Sequence, residues 1–211
     1  QNTLIPDPNF EQALIDLGYD TAPINGSVPT ATISGVTVLN VSDKNISDLT
    51  GIEDFTALTG LACWDNQLTN LDVSNNTALI ALKVNQNQLT SLDVSNNNAL
   101  SGLFCQNNQL TSLNVSNNSN LTTLECENNQ LTNLDLSNNT NLTRFKCYSN
   151  QLTSLDFRNN PLTGFVRQEL WVPFFFVSNN PDLSCIYVDD VSFATAFLTS
   201  KDYTTSYVTN E

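Results

Sequence analysis

Apolar residues recur through the middle of the chain with a period of 21 residues. The five copies begin at Leu58, Leu79, Leu100, Leu121 and Leu142. Each copy reads approximately L-x-x-L-x-C-x-x-N-Q-L-T-x-L-D-V-S-N-N-x-x. A fixed period of about 20 to 50 residues is typical of repeat proteins, in which each unit buries its apolar side against its neighbours. Residues 58-162 are therefore predicted to form five stacked coils.

Each copy contains two short segments in which inward and outward residues alternate. In the second copy these segments are residues 82–84 and residues 92–94. An alternation of period two is typical of a strand with one buried face, so a parallel sheet is predicted on each long side of the stack. One asparagine per copy follows the first segment, at Asn66, Asn87, Asn108, Asn129 and Asn150. A buried asparagine there can bond backbone groups that a turn leaves unpaired.

The N-terminal flank is predicted to close one end of the stack, because a terminal coil would otherwise expose its apolar edge. Residues 1-35 form the predicted cap, with a short helix that starts at Asp7 and Pro8 and ends near Gly18. Residues 36-57 form a transitional repeat of 22 residues that leads into the regular copies.

The C-terminal flank departs from the pattern at Pro161. Residues 163-188 are predicted to form an irregular last coil, and residues 189-211 a C-terminal cap. The irregular coil contains an aromatic stretch made of Phe165, Trp171, Phe174, Phe175 and Phe176.

The pattern L-x-x-L-x-L-x-x-N-x-L, with Cys or Val at the third apolar position, resembles the leucine-rich repeat. Its nesting as two half-turns is similar to the IRREKO class of bacterial leucine-rich repeats, over about half of the chain. Residues 36-57 resemble the repeat of internalin-like proteins, and the opening IPDPNFEQALIDLGYD resembles that of secreted Bacteroidetes proteins. The resemblance implies a protein-binding role in adhesion or envelope assembly, either secreted or at the bacterial outer cell surface.

The expected fold is a repeat solenoid, a right-handed leucine-rich-repeat coil. It is mainly β, with short parallel strands and an N-terminal helical cap. Such a fold has no single globular core, because every coil packs only on its neighbours.

Charge and hydropathy exclude two classes of partner. The chain has seven basic and 21 acidic residues, a net charge of −14, which repels nucleic acid and anionic membranes. It contains no apolar run of the about 18 residues that membrane insertion needs. The chain begins at Gln1 and has no Met, so we expect a processed product from which a signal peptide was removed.

Four cysteines share one inward position in the repeat: Cys63, Cys105, Cys126 and Cys147. A thiol column suggests a metal site or disulfides. Parallel side chains stacked about 4.8 Å apart do not turn toward each other as a disulfide requires, however, and the chain has no His. Because a free Cys behaves as a small apolar residue, the column is predicted to pack in the core.

The aspartates Asp72, Asp93, Asp135 and Asp156 form an outward column that Asn114 interrupts. They are expected to bond their own Ser, Thr or Asn neighbours. Calcium binding is the alternative, although no loop supplies the about six to eight oxygens that Ca²⁺ prefers. No cofactor is expected.

Catalysis has little support in the sequence, so the chain is predicted not to be an enzyme. It has no His, no nucleophile elbow and no phosphate loop. Its acid pairs all belong to repeat columns, whereas a catalytic site departs from the structural pattern.

The copies differ most at the outward positions of the first segment. One column runs Ala62, Lys83, Phe104, Glu125, Lys146, and the next Trp64, Asn85, Gln106, Glu127, Tyr148. Aromatic side chains and Arg anchor interfaces, and a curved solenoid offers an extended surface. The predicted ligand face therefore comprises Trp64, Lys83, Phe104, Glu125, Glu127, Arg144, Lys146 and Tyr148.

Three alternatives to protein binding stay open. Trp64, Phe104 and Tyr148 could stack on sugar rings in a carbohydrate-binding module, although they lie two coils apart and in different columns, which fits a polysaccharide less well. The module could instead be a structural spacer of a larger surface protein. The variation between copies could also be ordinary surface drift, since single exposed aromatics are normal.

Overall fold

Stacked coils, each one repeat long, build the molecule. The computed structural model describes residues 1–160, 175–197 and 205–209, and it is a solenoid of about 7 turns. The predicted repeat solenoid is therefore confirmed. The aromatic residues Phe165, Trp171 and Phe174 lie outside the described residues, as do parts of the predicted irregular coil and C-terminal cap.

Seven of the described strands form one parallel sheet along the first long side. They are β3 (Val38–Asn40), β4 (Gly60–Ala62), β5 (Ala81–Lys83), β6 (Gly102–Phe104), β7 (Thr123–Glu125), β8 (Arg144–Lys146) and β10 (Phe175–Phe176). The regular strands pair in the register of the repeat, so that Leu82 lies between Leu61 and Leu103. Equivalent side chains therefore stack in columns along the solenoid.

The second long side differs from its prediction. Among the described residues a sheet forms only near the C-terminal end, from β9 (Ser154–Asp156), β11 (Cys185–Tyr187) and β12 (Ser206–Val208), with an isolated bridge between Asp135 and Asp156. The expectation of a sheet along that whole side is wrong.

The reason is a local competition for backbone donors. In the second copy, Ser95 N–H donates to Asp93 Oδ1 (2.9 Å) and Asn97 N–H donates to Val94 O (3.0 Å). Asn97 Nδ2 then links the coils, with bonds to Val73 O (3.0 Å) and Asn76 O (2.9 Å). Side chains thus replace the cross-coil ladder there.

The N-terminal cap contains β1 (Asn2–Leu4), α1 (Pro8–Asp16), β2 (Ser27–Pro29) and α2 (Thr30–Ile33), and β1 pairs antiparallel with β2. The predicted helix start is confirmed. Asp7 Oδ1 accepts from Asn9 N (2.8 Å) and Phe10 N (3.1 Å), as an N-cap does. Its Oδ2 accepts from Ser47 N (2.8 Å) and Asp48 N (3.0 Å), which fastens the cap to the first coil.

Buried Leu, Val, Cys and Phe side chains fill the inside of every coil as one continuous cluster. Larger rings occupy the C-terminal end of the stack. The Phe145 ring centroid lies 5.1 Å from that of Phe157 and 5.7 Å from that of Phe175. Beyond these coils, a helix α3 spans Val191–Phe197, and a short 3-10 helix spans Ile52–Asp54.

Candidate recognition face

The parallel sheet brings all eight predicted ligand residues to one surface. We call this surface the first-half face: the outward side chains of β3 to β8 and of the two residues that follow each strand. Lys83 is exposed, whereas Trp64, Phe104, Arg144, Lys146 and Tyr148 are half-buried. The two acids differ from this pattern, because Glu125 is only 5% exposed and Glu127 only 4%.

Glu125 is the centre of an ion cluster. Its Oε1 accepts from Arg144 Nε at 2.5 Å and lies 3.3 Å from Lys146 Nζ, while its Oε2 accepts from Gln106 Nε2 at 3.4 Å. The structure therefore places Glu125 beneath the two cations, where its charge fixes their positions. Arg144 and Lys146 remain partly accessible to a partner.

Glu127 lies in the neighbouring column, between Gln106 and Tyr148. Burial raises the pKa of Glu127, and the charge of Glu125 adds to the shift. Burial and the charges of the two glutamates also raise the pKa of Tyr148. Glu127 Oε2 and Gln106 Oε1 are buried with no hydrogen-bond partner among the described residues, so the Glu127 carboxyl is only partly compensated for its burial.

Phe104 has a position that the sequence did not indicate. A Cβ atom at Gly102 would lie 3.1 Å from Phe104 Cε2, so the ring lies over this glycine. Lys83 Nζ lies 5.6 Å from the centroid of the same ring, within the range of a cation–π contact. The half-buried Phe104 ring therefore packs against neighbouring residues of its own sheet.

A shallow apolar depression at the N-terminal end of the face was not predicted. Its lining includes Val38, Gly60, Ala62, Ile80, Ala81 and Lys83. Val38 is 64% exposed and Ile80 is 47% exposed, which is unusual for large apolar side chains in this molecule. The sequence signal that could have identified the depression is the series of small outward residues in two adjacent copies, Gly60, Ala62 and Ala81.

The second long side carries its own column of acids, and their oxygens are engaged. Asp72, Asp93 and Asp135 each accept a hydrogen bond at 2.9 Å from the backbone N–H of the serine two residues later. Asn114 does the same with Ser116 at 3.0 Å. The bonds from Ser95 lower the pKa of Asp93. These contacts confirm the expected serine bonds at Asp72, Asp93 and Asp135. Asp156 differs, because its Oδ1 accepts from Arg158 N (3.1 Å) and Arg158 Nε (2.9 Å).

No group of three or more Cys, Asp or Glu side chains within the described ranges is arranged to hold a metal ion. Calcium binding at the aspartate column stays an alternative prediction.

The cysteine column packs inward, as predicted. Cys63, Cys105, Cys126 and Cys147 are buried with free thiols, and Cys185 is half-buried. Burial raises the pKa of Cys63 and of Cys105 to about 12. The thiols therefore stay protonated and act as core side chains.

Comparison with known proteins finds likeness in structure alone. No family model matches the chain, and no curated protein sequence matches it. An internalin of Listeria monocytogenes, InlF, matches with a TM-score of 0.67 at 20% identity, over 97% of this chain and 71% of its own. Internalin C2 of the same organism matches with a TM-score of 0.56 at 20% identity, over 99% and 98%.

The chain has an internalin-like leucine-rich-repeat fold. A third match is the functional domain of InlJ from Listeria monocytogenes, which includes a cysteine ladder. Its TM-score is 0.52 at 24% identity, over 90% of this chain, which spans 58% of the InlJ chain. At these identities the likeness to internalins is one of fold.

Within the described residues, no helix is long and apolar enough to cross a membrane.

Proposed function

We propose that this chain is a non-catalytic recognition module that binds a protein partner through the first-half face. The observation that carries the proposal is the composition of that face. Three of the seven basic residues of an acidic chain lie there, Lys83, Arg144 and Lys146, together with the aromatic residues Trp64, Phe104 and Tyr148. Aromatic and Arg side chains dominate the energy of protein interfaces.

The position of the module outside the cell is part of the proposal. The internalin-like fold supports secretion or exposure at the bacterial outer cell surface. The polar, weakly charged surface, with charged residues at only 13%, also suits a solenoid that stands in solvent. The absence of His from the chain supports the non-catalytic role, because His is the commonest general base.

Carbohydrate binding is a weaker candidate on geometric grounds. A sugar platform needs open aromatic faces in a row, whereas the Lys83 ammonium group lies 5.6 Å from the centroid of the Phe104 ring. Trp64 and Tyr148 share a column but lie four coils apart, at about 4.8 Å per coil. A spacer without a ligand would have no reason to gather cations and aromatics on one side.

The test is a binding screen of the wild-type chain against an extracellular-protein library and a glycan array, with and without Ca²⁺. The comparison protein carries Trp64→Ala, Phe104→Ala and Tyr148→Ala together. We expect a protein hit that this variant loses while its circular dichroism spectrum stays native. A glycan that binds the wild type but not the variant would establish the carbohydrate alternative. Partners that bind the variant as well as the wild type would contradict the proposed face.

A further inference from the structure

The apolar depression at the N-terminal end of the first-half face exists because the residues at its base are small. Its floor consists of Gly60, Ala62 and Ala81, all on adjacent strands. A Cβ atom added at Gly60 would lie 3.7 Å from the Val38 methyl groups, an ordinary van der Waals distance. The fold therefore has room for a larger side chain at Gly60, and close packing does not require the small residue.

The walls of the depression are apolar and accessible. Val38 and Ile80 flank the small floor and hold 64% and 47% of their surface in solvent. Exposed apolar surface around a concavity is typical of a place where a partner's apolar side chain is buried.

An exposed lysine without a carboxylate partner lies at the rim of the depression. Lys83 lines the depression, is exposed, and forms no salt bridge with the described carboxylates. The other described cations each have an acidic partner: Lys44 with Asp16, Arg144 and Lys146 with Glu125, and Arg158 with Asp156. Lys83 is therefore the cationic side chain in the described residues that has no carboxylate partner, and its only described charge contact is with the Phe104 ring, 5.6 Å from Nζ to the centroid.

The acid in the column of Lys83 does not compensate this charge. Glu125 lies two coils away and is held by the two cations on its far side. The net charge of −14 would repel a strongly acidic partner, so the rim selects a single carboxylate in a segment that is otherwise neutral or basic.

We propose that this depression is the docking point for a segment of the partner protein that presents an apolar side chain next to a carboxylate. The apolar side chain enters between Val38 and Ile80 over Ala81, and the carboxylate pairs with the Lys83 ammonium group. This inference rests on the proposed function, because it needs a partner that binds the first-half face. It adds the chemistry of the partner and the register in which it binds.

A displayed library of random short peptides, selected against the folded wild-type chain, tests the proposal. We expect the selected peptides to share an Asp or Glu beside an aliphatic or aromatic residue. Lys83→Glu should weaken their binding by about tenfold, and Ala81→Leu, which fills the depression, by about the same factor. Replacing the acidic residue of the peptide with Lys should restore binding to the Lys83→Glu variant.

Two matched controls carry the same changes elsewhere. Lys44→Glu reverses an exposed cation that already pairs with Asp16, and Ala78→Leu enlarges an exposed alanine outside the sheet. Both should leave peptide binding within about twofold of wild type, since about 0.4 kcal/mol corresponds to that factor. A loss with either control equal to that with the rim variants would overturn the proposal.

The outcomes separate this proposal from the proposed function. Peptides that ignore Lys83→Glu and Ala81→Leu but lose binding with Trp64→Ala or Tyr148→Ala would overturn the docking point and leave the face intact. Concentration-dependent dimers that Ala81→Leu abolishes would make a second copy the occupant and overturn the proposal. A failure to select any peptide would also overturn it, while the extracellular-protein screen would still decide the function of the face.

Discussion

The two halves of each coil solve the same hydrogen-bonding problem in different ways. In the first half, backbone groups pair directly between coils, as in Val84 N to Phe104 O (2.9 Å) and Cys105 N to Glu125 O (2.9 Å). In the second half, carboxylates such as Asp93 and amides such as Asn97 bind the backbone. Where the backbone pairs itself, outward side chains are free to differ between copies. Where side chains do that work, the copies must repeat.

The asparagines of the two halves show the same difference. Asn87 follows the first strand; its Nδ2 donates to Cys63 O (3.0 Å) and its Oδ1 accepts from Leu68 N (3.0 Å). Asn97, in the second half, uses only Nδ2, and its Oδ1 has no hydrogen-bond partner in the described part of the chain. The first position thus depends on both ends of the amide, and the second on one end.

The largest expected effect comes from replacing these asparagines with alanine. Asn87→Ala leaves the buried Leu68 N–H without an acceptor and should lower the free energy of unfolding by about 3 kcal/mol. Asn97→Ala should cost only about 1 kcal/mol, because Val73 O and Asn76 O keep local backbone donors and an unpaired oxygen is removed. Urea denaturation of both variants measures the difference, and equal losses would contradict the distinction.

The N-terminal cap is held as the second half of each coil is, by a carboxylate that accepts hydrogen bonds from backbone N–H groups. Burial alone would raise the pKa of Asp7, but hydrogen bonds from Ser47, Phe10 and Asp48 outweigh it and lower the pKa below its ordinary value of 3.8. Asp7→Asn should cost about 2 kcal/mol at neutral pH, because one amide cannot accept at both ends.

The same carboxylate gives a pH dependence with a definite sign. Because the folded pKa lies below the unfolded value, the contribution of Asp7 is complete above about pH 4 and declines as the pH falls through the folded pKa. The stability gap between wild type and Asp7→Asn should therefore narrow below pH 4. Denaturation curves in an acid series check this, and a constant gap would contradict it.

A smaller effect should separate the outward side chains of the two halves. Asp93→Ala removes the acceptor for Ser95 N–H and should destabilise the fold by about 0.5 kcal/mol. Lys83→Ala, which removes an exposed side chain without a salt bridge in the described structure, should change the stability by less than that. Chemical denaturation of the two variants measures both changes. A larger loss of unfolding free energy for Lys83→Ala than for Asp93→Ala would contradict the comparison.

The smallest expected effect is a stabilisation. The residue before the first asparagine has a left-handed backbone in every regular copy, with φ of 56° at Gln86 and 56° at Asn107. Asn adopts this conformation more readily than Gln. Gln86→Asn should therefore raise the free energy of unfolding by about 0.5 kcal/mol, seen as a higher melting temperature; a lower one would show that the Gln86 side chain has another role.

The sequence predicted most of the fold because the repeat determines what points inward. The period identified the stack, and alternation placed Leu82 and Val84 in the core. Alternation could not show that the second sheet would be absent from most of its side, because residues 92–94 alternate in the same manner as residues 82–84. Whether a strand formed there depended on the Asp93 and Asn97 side chains, which bind backbone groups that a sheet would otherwise pair. The alternation of apolar residues carries no information on these bonds.

The candidate face was less predictable. The repeat positions identified the residues of the face but not their burial. Glu125 is buried because Arg144 and Lys146 extend over it from the next coil. The apolar depression arises where side chains are small, so large residues could not mark it. Contacts between coils therefore decide which outward residues stay free.

The most direct test of the division between the halves is a calorimetric titration of the partner found in the extracellular-protein screen. It uses wild type, the triple variant of Trp64, Phe104 and Tyr148, and a second-half variant with Thr69→Ala, Thr90→Ala and Thr111→Ala, three exposed positions of the other half. We predict that the first variant loses measurable binding and that the second binds as wild type does. Equal binding by the first variant, or a loss of binding by the second alone, would contradict the assignment of recognition to the first-half face.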